Sequence, residues 1–440
     1  MANTSILEIQ RLEVPSDIIT AFSIDEPTPG TQTSGLTVNV GGWVVGNVQP
    51  IREIQVWIDG LTLPIQRISV GMPRPDVAAY LPNVAHAAHS GFYGQFSTLG
   101  LAPNFHAILE AVTDDQQLIR LAVIRATREW IPTAQATDSP QLQPLLVTAL
   151  ARSGTTWLMH ILSTHPAICV FPGYPYEMHA AAYWWHMCRV LTAPASGIGM
   201  SHPDYFWLSL EHISPHPFFT REAERHTWLR EWFQRDHLDR VVPHTKNIIE
   251  HFYRCLAANR PGLQATDARY FAEKMAIPYY AWLAWERYPG TREIFLVRDF
   301  RDVYCSILAF NRKRGIVSFG RETVQTDEEY ASWLNSQAAT LRQNWEARSG
   351  RALLLQYEDL IRSPEREVKR LLEYLGLDHS RTSVRALLEK VGPLLETQQH
   401  RTTDDALRSI GRWQRDLSPS LQAVVNDVFR DNLEAFGYTT

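Results

Sequence analysis

Between Pro144 and Leu158 an apolar run, Leu145-Leu146-Val147-Thr148-Ala149-Leu150, passes directly into Ala151-Arg152-Ser153-Gly154-Thr155-Thr156-Trp157. Few folds accommodate that succession. An unbroken aliphatic run of this length fits a parallel strand covered on both faces, and the Thr-Trp-Leu-Met-His-Ile-Leu that follows has helical spacing. The backbone N–H groups of a loop between such a strand and helix, together with the positive end of the helix, attract an anion without a metal. Gly154 lets the backbone close in on a ligand, and Ser153, Thr155 and Thr156 add hydroxyl donors. The loop departs from G-x-x-x-x-G-K-[ST], because with Gly154 as the second Gly, Ala149 stands at the first and Thr155 at the Lys. Its cation is Arg152, three residues before Thr155.

A second segment has the same character. Glu293-Ile294-Phe295-Leu296-Val297 reads as a short buried strand and ends in Arg298-Asp299-Phe300-Arg301-Asp302-Val303-Tyr304-Cys305-Ser306. Arg298 therefore stands at the carboxyl end of a strand, where ligands bind in open α/β sheets. Taken singly it is equally suited to a salt bridge with Asp299 or Asp302. Ser306, two helical turns on, is expected to meet the same ligand only if the chain between turns back.

Together the two segments resemble the sulfotransferase family that uses 3′-phosphoadenosine 5′-phosphosulfate (PAPS). The resemblance lies in Arg152-Ser153-Gly154-Thr155-Thr156, matching [KR]-x-G-[ST]-[ST], and in Arg298 followed eight positions later by Ser306. Downstream, Gln356-Tyr357-Glu358-Asp359-Leu360 is similar to a Tyr-Glu-Asp-Leu segment of that family, and Ile410-Gly411-Arg412-Trp413 to its C-terminal Gly-x-Trp loop. The likeness spans roughly residues 144 to 438. It implies that Arg152, Ser153, Gly154, Thr155, Thr156 and Trp157 hold the 5′-phosphosulfate, that Arg298 and Ser306 hold the 3′-phosphate, and that Tyr357, Gly411, Arg412 and Trp413 complete the nucleotide site. It also implies a sulfotransferase of the EC 2.8.2 type that releases adenosine 3′,5′-bisphosphate and needs no metal.

Sulfuryl transfer resembles phosphoryl transfer, with a loose in-line transition state that leaves positioning and electrostatics to carry the rate. Arg152 stays protonated, so it is expected to stabilise charge rather than donate a proton. For the acceptor's proton, Glu177 in Phe171-Pro172-Gly173-Tyr174-Pro175-Tyr176-Glu177-Met178-His179 is the first candidate base and His179 the second. Lys274, after Tyr270-Phe271-Ala272-Glu273, is similar to the family's Glu-Lys-x-Pro lysine, with the proline one position late at Pro278. His165 reads as a helix-end cap. Two other functions stay open: a nucleotide-dependent kinase, which the loop's missing lysine disfavours, and a non-catalytic glycan-binding protein on a decayed transferase scaffold.

Strands expected near 145–149, 168–171, 269–273, 293–297 and 352–356 alternate with helical stretches, which implies an α/β fold with a parallel sheet and helices on both faces. Residues 1–132 differ. Short β-rich runs at 36–40, 42–45, 54–58 and 92–96, and a hairpin from 106–112 to 118–124 across Asp114-Asp115, predict a small all-β sandwich. The Pro132–Pro140 stretch reads as a linker to a catalytic domain over 144–440. Trp43 and Trp57 are expected in the sandwich core.

With 440 residues, 45% hydrophobic, the chain affords two domains with real cores, and a net charge of −5 argues against a nucleic-acid partner. No apolar run is long enough to span a membrane and the N-terminus lacks a signal-peptide pattern, so a cytoplasmic location is expected. Cys169, Cys188, Cys255 and Cys305 form no C-x-x-C pair and read as reduced core residues. The aromatic-rich insertion at about 178–265 is the expected acceptor-recognition region, with Trp184, Trp185, Trp207, Trp228 and Trp232 more suited to helix interfaces than to sugar stacking. The expected acceptor is a hydroxyl compound, and local sequence does not distinguish a polysaccharide, glycolipid, tyrosyl peptide or secondary metabolite; the insertion and the sandwich lean toward a bulky acceptor such as a carbohydrate or glycolipid. Oligomeric state is not legible.

Overall fold

The computed structural model describes residues 4–33, 36–59, 61, 64–130, 142–192, 228, 232, 236–259, 267–276, 281–391, 402–403 and 405–439. Most of the 178–265 insertion, including Trp207, and the expected linker lie outside the described residues. By contact density the chain divides into two units, Met1–Ala136 with Tyr183–Asn247, and Thr137–Ala182 with Ile248–Thr440.

Among the described residues the first unit holds nine strands: β1 (Thr4–Arg11), β2 (Ile19–Glu26), β3 (Gln32–Thr33), β4 (Thr37–Gly46), β5 (Ile51–Ile58), β6 (Gln66–Ser69), β7 (Gly91–Ser97), β8 (Asn104–Thr113) and β9 (Leu118–Arg128), with helix α1 at Pro75–Tyr80. They form two antiparallel sheets, β3-β1-β9-β8-β5-β6 and β2-β4-β7. One core joins them, with Val38, Val40, Phe92 and Phe96 from the smaller sheet and Ile54, Val56, Leu109 and Ile124 from the larger. The sandwich and the Asp114-Asp115 hairpin are as expected. The two runs around Gly41-Gly42 instead form one strand, because a Cβ at Gly42 would lie 2.1 Å from the Ser23 carbonyl of β2 and glycine lets β2 pair there. Trp43 packs beside Val45, Val77 and Ala87, as a core residue should.

The second unit is a five-stranded parallel sheet of β10 (Gln143–Ala149), β11 (Ile168–Val170), β12 (Tyr270–Ala276), β13 (Arg292–Val297) and β14 (Leu353–Gln356), in the order β11-β12-β10-β13-β14. Its helices are α2 (Thr155–Thr164), α3 (Ala180–Thr192), α4 (Leu238–Ala258), α5 (Ala281–Arg287), α6 (Phe300–Arg314), α7 (Asp327–Arg348), α8 (Tyr357–Arg362), α9 (Pro364–Tyr374), α10 (Arg381–Lys390), α11 (Trp413–Asp416) and α12 (Pro419–Ala435), where α3 and α4 cross the division between the units. Alternation along β13 shows both faces covered. Ile294 and Leu296 pack with α2, α9 and α10, while Phe295 and Val297 pack with α6, α7 and α12. His165 ends α2, and its ring Nδ1 accepts the Ala167 N–H at 3.0 Å.

Two expectations need correction. Cys169, Cys188 and Cys305 are buried free thiols, but Cys255 is exposed on α4, where its Sγ faces His251 Nε2 one helical turn away at 3.6 Å. Nor does the chain turn back between Arg298 and Ser306, since 300–314 is one continuous helix. Among the described residues no helix is long and apolar enough to cross a membrane.

Candidate active site

The strand order places a crevice. From the central β10 the chain runs through α2 to β11 on one edge, and from β13 through α6 and α7 to β14 on the other. The loops at the carboxyl ends of these adjacent strands therefore diverge, which is where open parallel sheets bind ligands.

The loop after β10 holds two left-handed residues, Arg152 at φ 66° and Gly154 at φ 93°, on either side of buried Ser153. A non-glycine residue at positive φ is strained, and such residues persist where surrounding structure fixes them. Gly154 has a second reason to be glycine, since a Cβ there would lie 2.5 Å from the Tyr357 ring. Tyr357, first residue of α8, closes over the loop from the end of β14.

Four segments meet through a few side chains. Arg298 Nη1 donates to the Arg152 carbonyl at 3.0 Å and Nη2 to the Ser409 carbonyl at 2.7 Å. Its guanidinium carbon lies 4.7 Å from the Tyr357 ring centroid, and the Tyr357 hydroxyl is 3.0 Å from Ser409 Oγ. Arg298 Nε is buried and has no hydrogen-bond partner among the described residues, an orphan donor in a crevice. Arg152 Nε donates to Ser306 Oγ at 3.3 Å. Arg298 and Ser306 thus converge through Arg152, although they stand eight positions apart and no turn-back occurs. Burial, then the charges of Arg298 and Arg412, hold the Arg152 guanidinium down at about 10, still protonated at neutral pH.

Asp302 organises the C-terminal loop. Its buried carboxylate accepts the Gly411 N–H at 2.7 Å and the Trp413 N–H at 3.0 Å, with burial pushing its pKa up. Trp413 lies over Arg301, 4.2 Å from ring centroid to guanidinium carbon, and Arg301 is held by both oxygens of Asp299. Arg412 is buried, donating to Asp416 at 2.7 Å and to Thr402 Oγ1 at 2.8 Å.

On the other flank, successive residues of β12 point to opposite faces. Lys274 Nζ donates to Thr156 Oγ1 at 3.0 Å, to the Pro175 carbonyl at 2.7 Å and to Glu177 Oε1 at 2.7 Å, while burial lowers its pKa. Glu177, a candidate base, is thereby fixed beside the first turn of α2. Glu273 faces away. Its carboxyl accepts the N–H groups of Ala181 and Ala182 and the Tyr253 hydroxyl, and burial raises its pKa. His179 sits within electrostatic reach of Glu273.

The structure therefore gathers Arg152, Ser153, Gly154, Thr155, Thr156, Arg298, Ser306, Tyr357, Gly411, Arg412 and Trp413 around one crevice with Lys274 and Glu177, and leaves His179 aside. Trp157, in the first turn of α2, is half-buried and packs against the core. Sequence reasoning missed Asp302, Ser409 and Glu273. For Asp302 a signal existed, its place four residues after Arg298 on the helix that opens there, whereas Ser409's carbonyl role leaves no mark in side-chain chemistry. Among the described residues no group of three His, Cys, Asp or Glu is arranged to hold a metal ion.

Residues 144–381 match the model of the sulfotransferase family, which is more than half of the chain, and the protein belongs to that family. The sulfotransferase domain of the Synechococcus PCC 7002 olefin synthase is similar at 19% identity and TM-score 0.39, over 70% of this chain and 100% of that one. A mouse sulfotransferase, SULT7A1, complexed with PAP gives 11% identity and TM-score 0.35, over 66% and 85%. Sulfotransferase STF9 from Mycobacterium avium gives 16% and 0.33, over 69% and 79%. No curated protein matches the chain. The family match stops before the loop at 410–413, so that loop's part in the site rests on the bonds of Asp302 and Arg298.

Proposed function

We propose that residues 144–440 form a catalytic domain that transfers the sulfuryl group of PAPS to an acceptor hydroxyl. The observation that carries this reading is the convergence of Arg152, Arg298 and Arg412 at the switch crevice, with the buried Nε of Arg298 lacking a partner among the described residues. Packing like charges together is unfavourable unless anions offset them; Asp416 already pairs with Arg412, and a nucleotide with a 3′-phosphate and a 5′-phosphosulfate would supply a further anion at each end of the crevice. In this reading Arg298, Ser306 and Arg412 face the 3′-phosphate, and the loop 152–156 with Lys274 faces the phosphosulfate. A kinase would want a lysine at Thr155, and nothing else at the site favours one.

The transfer is a displacement. The acceptor oxygen forms a bond to sulfur as the bond from sulfur to the bridging phosphate oxygen breaks, and those electrons leave with adenosine 3′,5′-bisphosphate. The acceptor's proton passes to Glu177, which the bond to Lys274 holds beside Thr156. Glu177→Gln is expected to lower kcat by about a hundredfold while sparing nucleotide affinity, with His179→Ala much milder. Equal losses in steady-state assays of the two variants would remove Glu177 from this role.

The donor assignment is tested by calorimetric titration with adenosine 3′,5′-bisphosphate, beside ADP with and without Mg²⁺. Metal-independent binding of the bisphosphate is expected, weakened about tenfold or more in Arg298→Ala. Preference for ADP with Mg²⁺ would overturn it.

A further inference from the structure

The main chain on either side of Arg298 is gripped by two residues that the nucleotide reading leaves unused. The Asp299 N–H donates to Glu358 Oε1 at 3.1 Å. The Tyr438 hydroxyl lies 2.8 Å from Glu358 Oε2 and 3.3 Å from the Val297 carbonyl. Its one proton goes to the nearer oxygen, so buried Glu358 bridges Tyr438 to the peptide N–H that follows Arg298, while the hydroxyl rests against the carbonyl that precedes it. Tyr438 is itself strapped down just past α12. Gln356 Nε2 donates to the Phe436 carbonyl at 2.7 Å on one side, and Arg301 Nη2 to the Thr439 carbonyl at 2.9 Å on the other. Phe436 is buried against Phe300, with ring centroids 5.9 Å apart. Residues 436–439 therefore belong to the fold at the end of β13, and they lie beyond residue 381, where the family match stops.

We propose that Tyr438 is a positioning residue of the nucleotide site: through Glu358 it fixes the main chain at Arg298 and so aims that guanidinium at the 3′-phosphate. This rests on the reading that Arg298 faces that phosphate. The far end of Arg298 is held by the carbonyls of Arg152 and Ser409. Its near end needs a separate hold, because the pairing of β13 with β14 ends at Val297 opposite Gln356. Glu358 and Tyr438 supply that hold directly after the last paired residue. A small rotation of the main chain there is magnified along the arginine side chain, and a binding group is only as well placed as the bonds that support it. Without the tyrosine hydroxyl, Glu358 Oε2 loses that bond in a buried setting, and the carboxyl is free to turn away from the Asp299 N–H.

The test compares adenosine 3′,5′-bisphosphate with adenosine 5′-monophosphate by calorimetry on the full chain. The ratio of the two affinities isolates the 3′-phosphate, whereas a general loss of folded protein lowers both together. Tyr438→Phe keeps the ring against the core and removes the hydroxyl alone. It is expected to lower the ratio about fivefold, with monophosphate affinity within about twofold of the wild type. In an Arg298→Ala background the same substitution is expected to leave the ratio where Arg298→Ala put it, because it acts through that arginine. Glu358→Ala, which removes the bridge itself, is expected to lower the ratio at least as far as Tyr438→Phe does. An unchanged ratio in either single variant, equal losses for the two nucleotides, or a further fall of the ratio in the double variant overturns the proposal. A wild type that binds the two nucleotides equally is a separate failure, that of the donor assignment.

Discussion

Arg152→Ala is expected to lower turnover by about a thousandfold or more while adenosine 3′,5′-bisphosphate still binds within about tenfold of the wild type. The asymmetry follows from which atoms of Arg152 do what. Its carbonyl, untouched by the substitution, accepts from Arg298 Nη1 and keeps that guanidinium in place. Its side chain reaches Ser306 Oγ and the Phe310 ring, and in the proposed mechanism it meets charge that grows on the bridging oxygen as the bond to sulfur lengthens. Removing this half-buried cation also relieves repulsion of Arg298 and Arg412, which offsets part of the lost attraction for the nucleotide. Arg152→Lys is expected to recover part of the rate, since a point charge remains without the planar fork. The check is single-turnover sulfate transfer alongside calorimetry. Near-normal turnover in Arg152→Ala would remove the loop cation from the chemistry, and a matching collapse of bisphosphate affinity would make it a binding residue.

What the sequence discloses about this site is the part written in contiguous residues. The strand, loop and helix around Arg152 are legible because an aliphatic run ending in small and hydroxyl residues has one common structural outcome, and β13 with Arg298 is legible for the same reason. The sandwich is readable in its central strands, where β-formers cluster between turn residues, and not in β1 or β2. Ile6 of β1 and Ile19 and Ile24 of β2 are buried, but the exposed Leu7 beside Ile6 and the half-buried Ala21, Phe22 and Ser23 between the two isoleucines of β2 blur the alternation. Long-range pairings are invisible in principle. Nothing near Asp302 announces that its carboxylate ends on the N–H groups of Gly411 and Trp413, and nothing near Tyr357 says that its ring forbids a Cβ at Gly154. The choice between Glu177 and His179 belongs to the same class. A single residue separates them, and only the fold puts one on Lys274 and the other near Glu273.

Arg348→Ala is expected to destabilise the parallel-sheet unit by about 3–5 kcal/mol. Glu293 and Arg348 have no exposed side-chain surface, with Arg348 Nε 2.8 Å from Glu293 Oε2 and Nη2 3.3 Å from Oε1. The remaining capacity of the carboxylate is met by Thr148 Oγ1 at 2.6 Å and Trp285 Nε1 at 3.1 Å, and Arg348 Nη1 donates to Asn344 Oδ1 at 2.9 Å. Deleting the arginine leaves a carboxylate in a dry interior with only neutral donors, whereas Glu293→Leu with Arg348→Met removes both charges and is expected to cost far less. Thr148 lies on β10 and Glu293 on β13, so the pair also bridges the two strands whose carboxyl ends carry Arg152 and Arg298. A structural role of this kind predicts a lower urea midpoint with a parallel loss of bisphosphate affinity near that midpoint, and near-normal affinity well below it. If the single and double variants unfold at the same urea concentration, the pair is not what anchors these strands.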